Sequence, residues 1–276
     1  MAHCVVPEAE AILDREFPVL DKGFVRLVDY LGGDRRVVQA ARVSYGDGTK
    51  SYREDAGLID YLLRNRHTSP FEQVVLTFHV KLPVFVARQW VRHRTARLNE
   101  VSGRYSVMKD DFYLPSQEDT APQSADNRQG RAEQPLSAEA ARAAIACLAE
   151  GQRAAYTAYT SLLSQGLARE LARINLPLSL YTEIYWQIDL RNLFHFLELR
   201  LHPHAQKEIR RYAETLLAVA RQVAPLCFQS FDRHIQGGAS FSQEELAELR
   251  RRLDGGQGNG LAGRDLARLE EKLKKN

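Results

Sequence analysis

The chain has 276 residues, of which 44% are apolar, and its 38 basic and 35 acidic side chains leave a net charge of +3. This length suits one globular domain with an appendage or two small domains, and so small a net charge does not support non-specific nucleic-acid binding. No apolar run has the length of a membrane span and the N-terminus lacks the pattern of a secretion signal, so we expect a cytoplasmic protein.

Strands and helices are predicted throughout the first third of the chain. Residues 24–31 alternate between apolar and polar side chains, which is typical of a strand. Asp34 is predicted to cap the helix that follows, and a second helix has its apolar face at residues 58–63. Residues 74–82 alternate again, and a helix over residues 83–91 begins with a proline, which suits a first helical turn.

A polar segment interrupts this pattern in the middle of the chain. We expect a long surface loop over residues 116–135, because the central run of this segment has no large apolar side chain. An Ala-rich helix is predicted from Ser137 towards Gly166. A further helical segment around Arg173 must end before Pro177.

The last third of the chain combines one strand with several helices. Residues 180–188 alternate and are rich in β-branched and aromatic side chains, which predicts a strand. Asp189 is predicted to cap a helix that runs through Arg200, and residues 204–228 have the spacing of one long amphipathic helix. Residues 240–276 have few large apolar side chains and many charges, which indicates a helical tail outside the core.

Helices outnumber strands and the two do not alternate regularly. We therefore predict an α+β fold, in which helices pack around a small, mainly antiparallel sheet. A single catalytic domain is predicted over residues 1–232, with residues 116–135 as a surface insertion. Residues 233–276 are predicted to form a charged helical extension.

Residues 92–105 contain five basic side chains interleaved with Asn, Glu, Ser and Gly. Arginine binds phosphate through paired hydrogen bonds, and backbone N–H groups around a glycine can cradle phosphate oxygens. Gln89, Arg92 and His93 are predicted to lie on one side of the preceding helix. We interpret this segment as an anion site, with a basic loop paired to Glu100 as the alternative. A nucleophilic serine is disfavoured, because no nucleophile-elbow sequence surrounds it.

A second polar segment is His-Thr-Ser-Pro-Phe-Glu at residues 67–72. One interpretation is a helix start, with Ser69 as the cap, Pro70 in the first turn and Glu72 closing a capping box. The alternation that follows is typical of a strand, so a helix start fits poorly and a binding role is favoured.

A third cluster surrounds the helix predicted after Asp189. It comprises Arg191, His195 and Arg200, followed by His-Pro-His-Ala-Gln at residues 202–206. A charged helix with weak ion pairs is one alternative. A metal site is another, but no His-Glu-x-x-His is present and the three cysteines have neither metal nor disulfide spacing.

These segments together resemble the flavin-dependent thymidylate synthases. Arg-His-Arg followed after seven residues by Ser is the signature of that family, and the segments at 67–72, 173–177 and 189–206 match further family motifs in the same order. One such motif can arise by chance, whereas four in order are specific. The resemblance covers most of residues 24–230.

The resemblance implies an enzyme that makes dTMP from dUMP. It implies methylenetetrahydrofolate as the carbon donor, FAD reduced by NADPH as the hydride source, and a homotetramer whose subunits share the active sites. Carried onto this sequence, it implies catalytic roles for Arg200, Ser102 and His67. It implies contacts with dUMP for Gln89, Arg92, Glu100, Ser102, Gly103, Arg104, Arg173 and Arg200. It implies contacts with FAD for Ser44, Ser69, Glu72, Arg92, His93, Arg94, Asn99, Asp189, Arg191 and His195.

The chemistry of these side chains suits such roles. An arginine against the uracil edge favours loss of the N3 proton, because an opposite charge lowers the pKa of the ring, and this enriches electron density at C5. Cationic donors stabilise the negative charge of a reduced flavin. No cysteine lies near the basic segments, which favours a route without a thiolate. Two alternatives are a flavoenzyme of the same fold with another acceptor and a nucleic-acid-binding module without flavin, whose binding would depend steeply on salt.

Overall fold

A computed structural model describes residues 4–43, 52–125, 129–255 and 260–274. In this part of the chain five strands form one sheet in the order β1-β2-β3-β5-β4, and every neighbouring pair is antiparallel. The strands are β1 (Glu16–Val19), β2 (Gly23–Leu31), β3 (Val75–Pro83), β4 (Arg97–Glu100) and β5 (Tyr181–Asp189). The predicted α+β fold with an antiparallel sheet is confirmed.

Helices surround this sheet and continue beyond it towards the C-terminus. They are α1 (Pro7–Glu10), α2 (Asp34–Ala41), α3 (Tyr52–Arg64), α4 (Val84–Trp90), α5 (Ala138–Ser164), α6 (Arg169–Ala172), α7 (Leu190–Arg200), α8 (Lys207–Val223), α9 (Pro225–Phe231), α10 (Gln243–Leu253) and α11 (Gly263–Lys274). Over the ranges that the structure describes, none of the helices combines the length and the apolar character needed to traverse a lipid bilayer.

The core lies where one face of the sheet meets α4, α7 and α8. Alternate residues of a strand point to the same face, and Phe78 of β3 and Trp186 of β5 are accordingly buried. The ring of Trp90 on α4 lies 5.0 Å from that of Trp186 and 4.8 Å from that of Phe196 on α7. Tyr212 of α8 completes this aromatic group. Burial stabilises the fold by roughly 1.5–3 kcal/mol for a large apolar side chain, so this group fixes the helix that precedes the Arg-His-Arg segment.

The predicted strands match β2, β3 and β5 to within one residue. Two helix predictions are wrong at their ends. The single helix expected over residues 204–228 is broken, because Pro225 cannot donate an N–H to continue α8 and instead begins α9. The helix expected over residues 83–91 ends at Trp90, so Arg92 and His93 lie in the following turn and do not share a helix face with Gln89.

Asp34 caps a helix, but not the one that follows it in sequence. Helix α2 begins at Asp34 itself, with Gly33 at the N-cap position. The Asp34 carboxylate instead accepts hydrogen bonds from the backbone N–H groups of Leu226 at 2.8 Å and Cys227 at 2.9 Å. These donors belong to the first turn of α9, which lacks internal acceptors for them. Asp34 therefore joins two helices that are far apart in sequence.

Residues 67–72 do contain a helix start, so the expectation against one is wrong. A 3₁₀-helix spans Ser69–Gln73 with a proline in its first turn, and β3 begins two residues later at Val75. The cap position is occupied by Thr68 and not by Ser69, without a side-chain cap hydrogen bond. A strand and a one-turn helix thus both fit the segment, because the turn ends before the alternation starts.

Cys147 and Cys227 both lie in segments with helical spacing, which favours small core residues, and the two outcomes differ. Cys227 is buried, as a small core residue is expected to be, and burial raises the pKa of its thiol well above the usual value. Cys147 is exposed on α5, so its prediction as a core residue is wrong. The Ala-rich sequence of α5 does not distinguish its buried face from its exposed face, and Cys147 lies on the latter.

The polar segment and the charged tail both have defined internal contacts. In the segment over residues 116–135, Gln123 and Arg131 form an isolated β-bridge. In the tail, Ser242 and Glu245 form a capping box at the start of α10. A hydrogen bond from Lys272 of α11 lowers the pKa of Glu245 to about 2. The tail therefore forms a pair of helices joined by ion pairs.

Candidate functional site

Side chains from two parts of the chain, residues 89–93 and 195–206, meet around Arg200 at the end of α7; we call Gln89, His93, His195, Arg200 and Gln206 the Arg200 cluster. The Nε–H of Arg200 donates to Nε2 of His93 at 3.0 Å, and its Nη2 donates to the backbone carbonyl of Gln89 at 3.2 Å. The side-chain amide of Gln89 donates in turn to Oε1 of Gln206. The rings of His93 and His195 lie 6.0 Å apart.

The protonation of this cluster follows from its burial. Burial, with the charge of Arg200 and the nearby His195 adding to it, lowers the pKa of His93 to about 4. His93 is therefore neutral at pH 7 and accepts through Nε2, so its ring proton is on Nδ1. Burial also lowers the pKa of Arg200, which remains cationic at neutral pH. Within the basic segment at residues 92–105, His93 therefore supplies an acceptor and no positive charge.

A second group of residues surrounds the turn after β4, with Glu170 and Arg173 reaching it from α6 and the residue after it. We call Ser102, Gly103, Arg104, Glu170 and Arg173 the Gly103 cluster. The hydroxyl of Ser102 accepts from the backbone N–H of Arg104 at 3.3 Å, and Nε of Arg104 pairs with Glu170 at 3.1 Å. This ion pair is exposed, so it leaves Arg104 free to move to another anion. The cluster unites the Arg-His-Arg…Ser segment with the Arg-x-x-Leu-Pro segment, which are far apart in sequence.

Gly103 permits the close approach within this cluster. A Cβ at this position would lie 3.0 Å from Cδ of Arg173 and 2.9 Å from Sδ of Met108. Both distances are shorter than carbon and sulfur atoms allow without displacement. A side chain here would displace the stem of Arg173 and the thioether of Met108, so glycine lets the backbone of the turn lie against that stem.

Glu100 and Asn99 lie on β4, next to the Gly103 cluster. Oε1 of Glu100 accepts from the hydroxyl of Thr182 at 2.7 Å, which holds the carboxylate against β5. Asn99 lies opposite Tyr185 in the same pair of strands. The short strand thus places an amide and a carboxylate one residue apart at the edge of the sheet.

A pocket of about 250 Å³ lies between the 3₁₀-helix and α7. It is lined by Leu63, Thr68, Phe71, Arg191, Phe194, His195, Glu198 and Ile235. Two of these, Arg191 and His195, belong to the predicted site, and His195 also belongs to the Arg200 cluster. The pocket therefore brings the second and third sequence segments together beside the first.

Asp189 caps α7 as predicted. One carboxylate oxygen accepts from the backbone N–H of Asn192 at 2.9 Å and the other from its side-chain amide at 2.6 Å. Arg191 donates to the amide oxygen of Asn192 at 2.7 Å, so the alternative of a charged helix whose Arg191 pairs with Asp189 is wrong. The first turn of α7 is held by its own residues.

The remaining predicted residues are mostly on the surface. Exposed side chains are Ser69, Glu72, Arg92, Arg94, Asn99, Glu100, Arg104, Arg191 and His195. His67 is exposed as well, with its ring 5.9 Å from that of Tyr61. Ser44 lies outside the described residues. The single chain therefore presents two clusters and one pocket, and it leaves much of the predicted site open.

Two residues were missed at the sequence level. Gln206 lies in the His-Ala-Gln segment but has no predicted role there, and Glu208 follows it on α8. The side-chain amide of Gln206 donates to Oε2 of Glu208 at 2.8 Å, and Glu208 is 4% exposed. A glutamate in an amphipathic helix is usually solvated, so only contacts across the fold identify this one.

No three or more His, Cys, Asp or Glu side chains come together as potential metal ligands within the described ranges. His202 and His204, which were considered as ligands, have ring centres 5.0 Å apart. The backbone N–H of His204 donates to Nδ1 of His202 at 3.2 Å.

Two family sequence models match the chain. Residues 26–226 match "Thymidylate synthase complementing protein" and residues 239–276 match "Thymidylate synthase ThyX C-terminal domain". The chain belongs to the flavin-dependent thymidylate synthase family. A family member named for that activity from Treponema denticola is 62% identical over 262 residues, which cover 95% of this chain and 98% of the relative. A relative of the same name from Thermus thermophilus is 58% identical, and the match covers 84% of each chain.

A solved structure supports the same assignment. The UMP/dUMP methylase PolB from Streptomyces cacaoi, in a crystal structure with 5-Br dUMP, has a TM-score of 0.72 and 33% identity. The match covers 79% of this chain and 98% of that one. The predicted family, fold class and enzyme class are thus confirmed: the chain is an enzyme of the flavin-dependent thymidylate synthase family.

Proposed function

We propose that this protein converts dUMP to dTMP, with methylenetetrahydrofolate as the carbon donor and NADPH as the reductant of a bound FAD. The observation that carries the proposal is the Arg200 cluster, in which a half-buried guanidinium is held by a neutral histidine. Relatives up to 62% identical are named flavin-dependent thymidylate synthase, and a structural neighbour was solved with 5-Br dUMP.

The nucleotide is proposed to bind through its phosphate to the Gly103 cluster. Ser102 offers a hydroxyl, Gly103 lets the turn lie against the stem of Arg173, and Arg104 and Arg173 offer guanidinium donors suited to phosphate. Glu100 lies beside them on β4, and Gln89 and Arg92 are the further contacts. The exposed pair of Arg104 with Glu170 is weak, so a phosphate can replace Glu170.

Arg200 is proposed to face the pyrimidine ring. Its Nε–H and one Nη2–H are used by His93 and Gln89, which fixes the plane of the guanidinium and leaves further N–H donors for the substrate. A fixed positive charge at the ring edge lowers the pKa of the uracil N3–H and thereby increases electron density at C5. Because Arg200 is half-buried, this interaction is stronger than it would be in water.

The residues around the pocket fit a flavin. Phe71 and Phe194 offer apolar walls for a planar ring, and Arg191 and His195 offer donors at its rim. When bound, reduced FAD supplies a hydride. The proposed contacts are Ser44, Ser69, Glu72, Arg92, His93, Arg94, Asn99, Asp189, Arg191 and His195. Both oxygens of Asp189 also accept hydrogen bonds from Asn192, so Asp189 in addition holds the first turn of α7 in place.

The exposure of these residues supports a homotetramer with shared active sites. The pocket of about 250 Å³ is smaller than typical sites for drug-sized ligands, which hold about 300–1,000 Å³. Near the Gly103 cluster, Tyr105 is 78% and Ile174 is 72% exposed, so apolar surface is available there for a neighbouring subunit. A neighbouring subunit would cover these side chains and would complete the site.

Two further assignments remain proposals. His67 and Ser102 are proposed to act in catalysis: His67 at the reacting end of the site, close to the folate, and Ser102 at the phosphate end, where its hydroxyl positions dUMP. Residues 1–232 are proposed as the catalytic domain and residues 233–276 as its extension. The separate family matches, which end at 226 and begin at 239, support that division.

The test begins with the absorption spectrum of the purified protein and continues with product analysis. We expect flavin bands and formation of dTMP that requires dUMP, methylenetetrahydrofolate and NADPH together. Flavin bands without dUMP-dependent product would indicate a flavoenzyme with another acceptor. A colourless protein that does not bind FAD but binds oligonucleotides with steep salt dependence would support the nucleic-acid-binding alternative.

A further inference from the structure

A chain of hydrogen bonds joins the surface insertion over residues 116–135 to the Arg200 cluster; we call its side chains, Arg131, Glu208, Gln206 and Gln89, the relay. Nη2 of Arg131 pairs with Oε1 of Glu208 at the start of α8. Oε2 of Glu208 accepts from the side-chain amide of Gln206 at 2.8 Å, and Oε1 of Gln206 accepts from the side-chain amide of Gln89. Four side chains thus connect a loop that the sequence predicts to be peripheral with a proposed contact of dUMP.

The carboxylate of Glu208 is buried, and both of its oxygens accept hydrogen bonds. It is 4% exposed, and besides Arg131 and Gln206 it accepts from the phenol of Tyr113 at 3.1 Å. Burial, together with the charge of Glu208, raises the pKa of Tyr113, so this phenol is a neutral donor. Arg131 is the cation that pairs with Glu208, and a buried carboxylate without such a partner is strongly disfavoured.

The charge of Glu208 also determines the orientation of two amides. A carboxylate only accepts hydrogen bonds, so Gln206 must turn its NH₂ group towards Glu208 and its oxygen towards Gln89. Gln89 must then direct its NH₂ group towards Gln206. The carboxylate of Glu208 thus sets the orientation of Gln89 through Gln206. A surface glutamine without such partners would not keep one orientation.

We propose that the insertion positions the nucleotide site, with Arg131, Glu208 and Gln206 as positioning residues that orient Gln89. The inference rests on the proposed function, because it takes Gln89 as a contact of dUMP. Arg131 lies in the loop and touches no proposed substrate contact directly, and its effect passes through Glu208.

The chain offers a matched control for this inference. Lys207 pairs with Asp119, so it ties the same loop to the same end of α8 without joining the relay. Nη1 of Arg131 also donates to the backbone carbonyl of Asp119 at 2.6 Å. Replacement of Lys207 therefore loosens the loop and leaves the bonds between Arg131, Glu208 and Gln206 in place.

The experiment compares Arg131→Met, Lys207→Met and Arg131→Lys in the FAD-loaded full-length protein. We measure the Kd of dUMP by calorimetry, KM and kcat for dUMP, and the thermal midpoint. We expect Arg131→Met to raise Kd and KM for dUMP about fivefold, with kcat within about twofold, because the lost interaction acts on binding through a relay. Lys207→Met should remain within about twofold of wild type. Arg131→Lys keeps the cation beside Glu208 but loses the second hydrogen bond to Asp119, so its Kd should lie between those of wild type and Arg131→Met.

The outcomes separate the possible roles. Equal weakening of dUMP binding by Arg131→Met and Lys207→Met would show that Arg131 only anchors the loop, and this would overturn the inference. Wild-type dUMP binding in Arg131→Met would overturn it as well. If Arg131→Met does not fold, Glu208→Gln is tested in its place, because the new amide no longer dictates the orientation of Gln206. Wild-type dUMP affinity in Glu208→Gln would also overturn the inference. If the wild-type protein neither binds nor converts dUMP, the proposed function itself is refuted.

Discussion

Nε of Arg200 and Nε2 of His93 lie 3.0 Å apart, although the two residues are 107 positions apart in sequence. The histidine accepts this hydrogen bond only while it is neutral. Burial and the adjacent guanidinium keep it neutral by lowering its pKa to about 4. The pair is therefore a fixed unit at neutral pH, with the positive charge on Arg200 alone.

The first prediction is that His93 titrates far below an ordinary histidine. NMR of ¹⁵N-labelled histidine should give an apparent pKa of about 4 in place of 6.5. Arg200→Gln should raise that pKa part of the way towards 6.5, because the neighbouring charge disappears while burial remains. A pKa near 6.5 in the wild-type protein would contradict the structure of this cluster.

The lowered pKa of His93 also makes the free energy of unfolding depend on pH. Between pH 6.5 and about 4 the unfolded chain binds a proton at His93 that the folded chain does not bind. The contribution of His93 to stability is thus fully present above pH 6.5 and decreases as the pH falls towards 4. His93→Gln should flatten this part of the stability profile measured by urea unfolding.

The second prediction concerns the role of Arg200 in the reaction. Arg200→Ala should abolish exchange of the C5 hydrogen of dUMP, measured as tritium release, while the flavin absorbance stays, because the proposed FAD contacts belong to other residues. Arg97→Ala is the matched control, since Arg97 is an exposed arginine that donates to Gln187 at 3.0 Å and is not a proposed contact. Normal tritium release by Arg200→Ala would refute its assignment to the pyrimidine.

Periodicity was sufficient to predict three of the five strands of the described fold, β2, β3 and β5, but not the four-residue strands β1 and β4. The alternation at Phe78 and Trp186 gives the buried face of β3 and β5 directly, since a strand has only two faces. Helix ends were less predictable: Pro225 was visible in the sequence, but an amphipathic spacing that continues past it suggested one helix. Asp34 shows the same limit, because a capping residue does not specify which helix it caps.

The candidate site was predictable as a set of residue types and not as a set of contacts. The motifs identified Arg200 and His93, but the neutral state of His93 depends on burial that no local pattern records. Glu208 was missed for the same reason, since its partners Arg131 and Tyr113 both lie outside the predicted helices and strands. Family resemblance supplied the order of the motifs, and the fold supplied the hydrogen bonds between them.

The third prediction uses Gly103, where a side chain would disturb Arg173 and Met108. Gly103→Ala should weaken dUMP binding about tenfold, because the new methyl group displaces the stem of Arg173 from a phosphate contact. Gly151→Ala is the control, since nothing lies within 4 Å of its Cβ position in α5, and it should stabilise the protein by about 0.5–1 kcal/mol. Calorimetric Kd values and thermal midpoints of both variants provide the comparison. Unchanged dUMP affinity in Gly103→Ala would exclude the Gly103 cluster as the phosphate site.

The fourth prediction is that turnover needs no thiol. Cys227 is buried, and the burial and the neighbouring Asp34 raise the pKa of its thiol, so it cannot supply a thiolate at neutral pH. Cys147 is exposed on α5 and Cys4 is near the N-terminus. The triple variant Cys4→Ser, Cys147→Ser, Cys227→Ala should keep kcat within about twofold, with a loss of roughly 1 kcal/mol of stability from the small cavity at Cys227. Thiol-reactive dye should label Cys147 quickly in the folded wild-type protein and Cys227 only after unfolding. A folded, FAD-loaded triple variant without dTMP formation would establish that a thiol takes part, and the proposed route through Arg200 would then be incomplete.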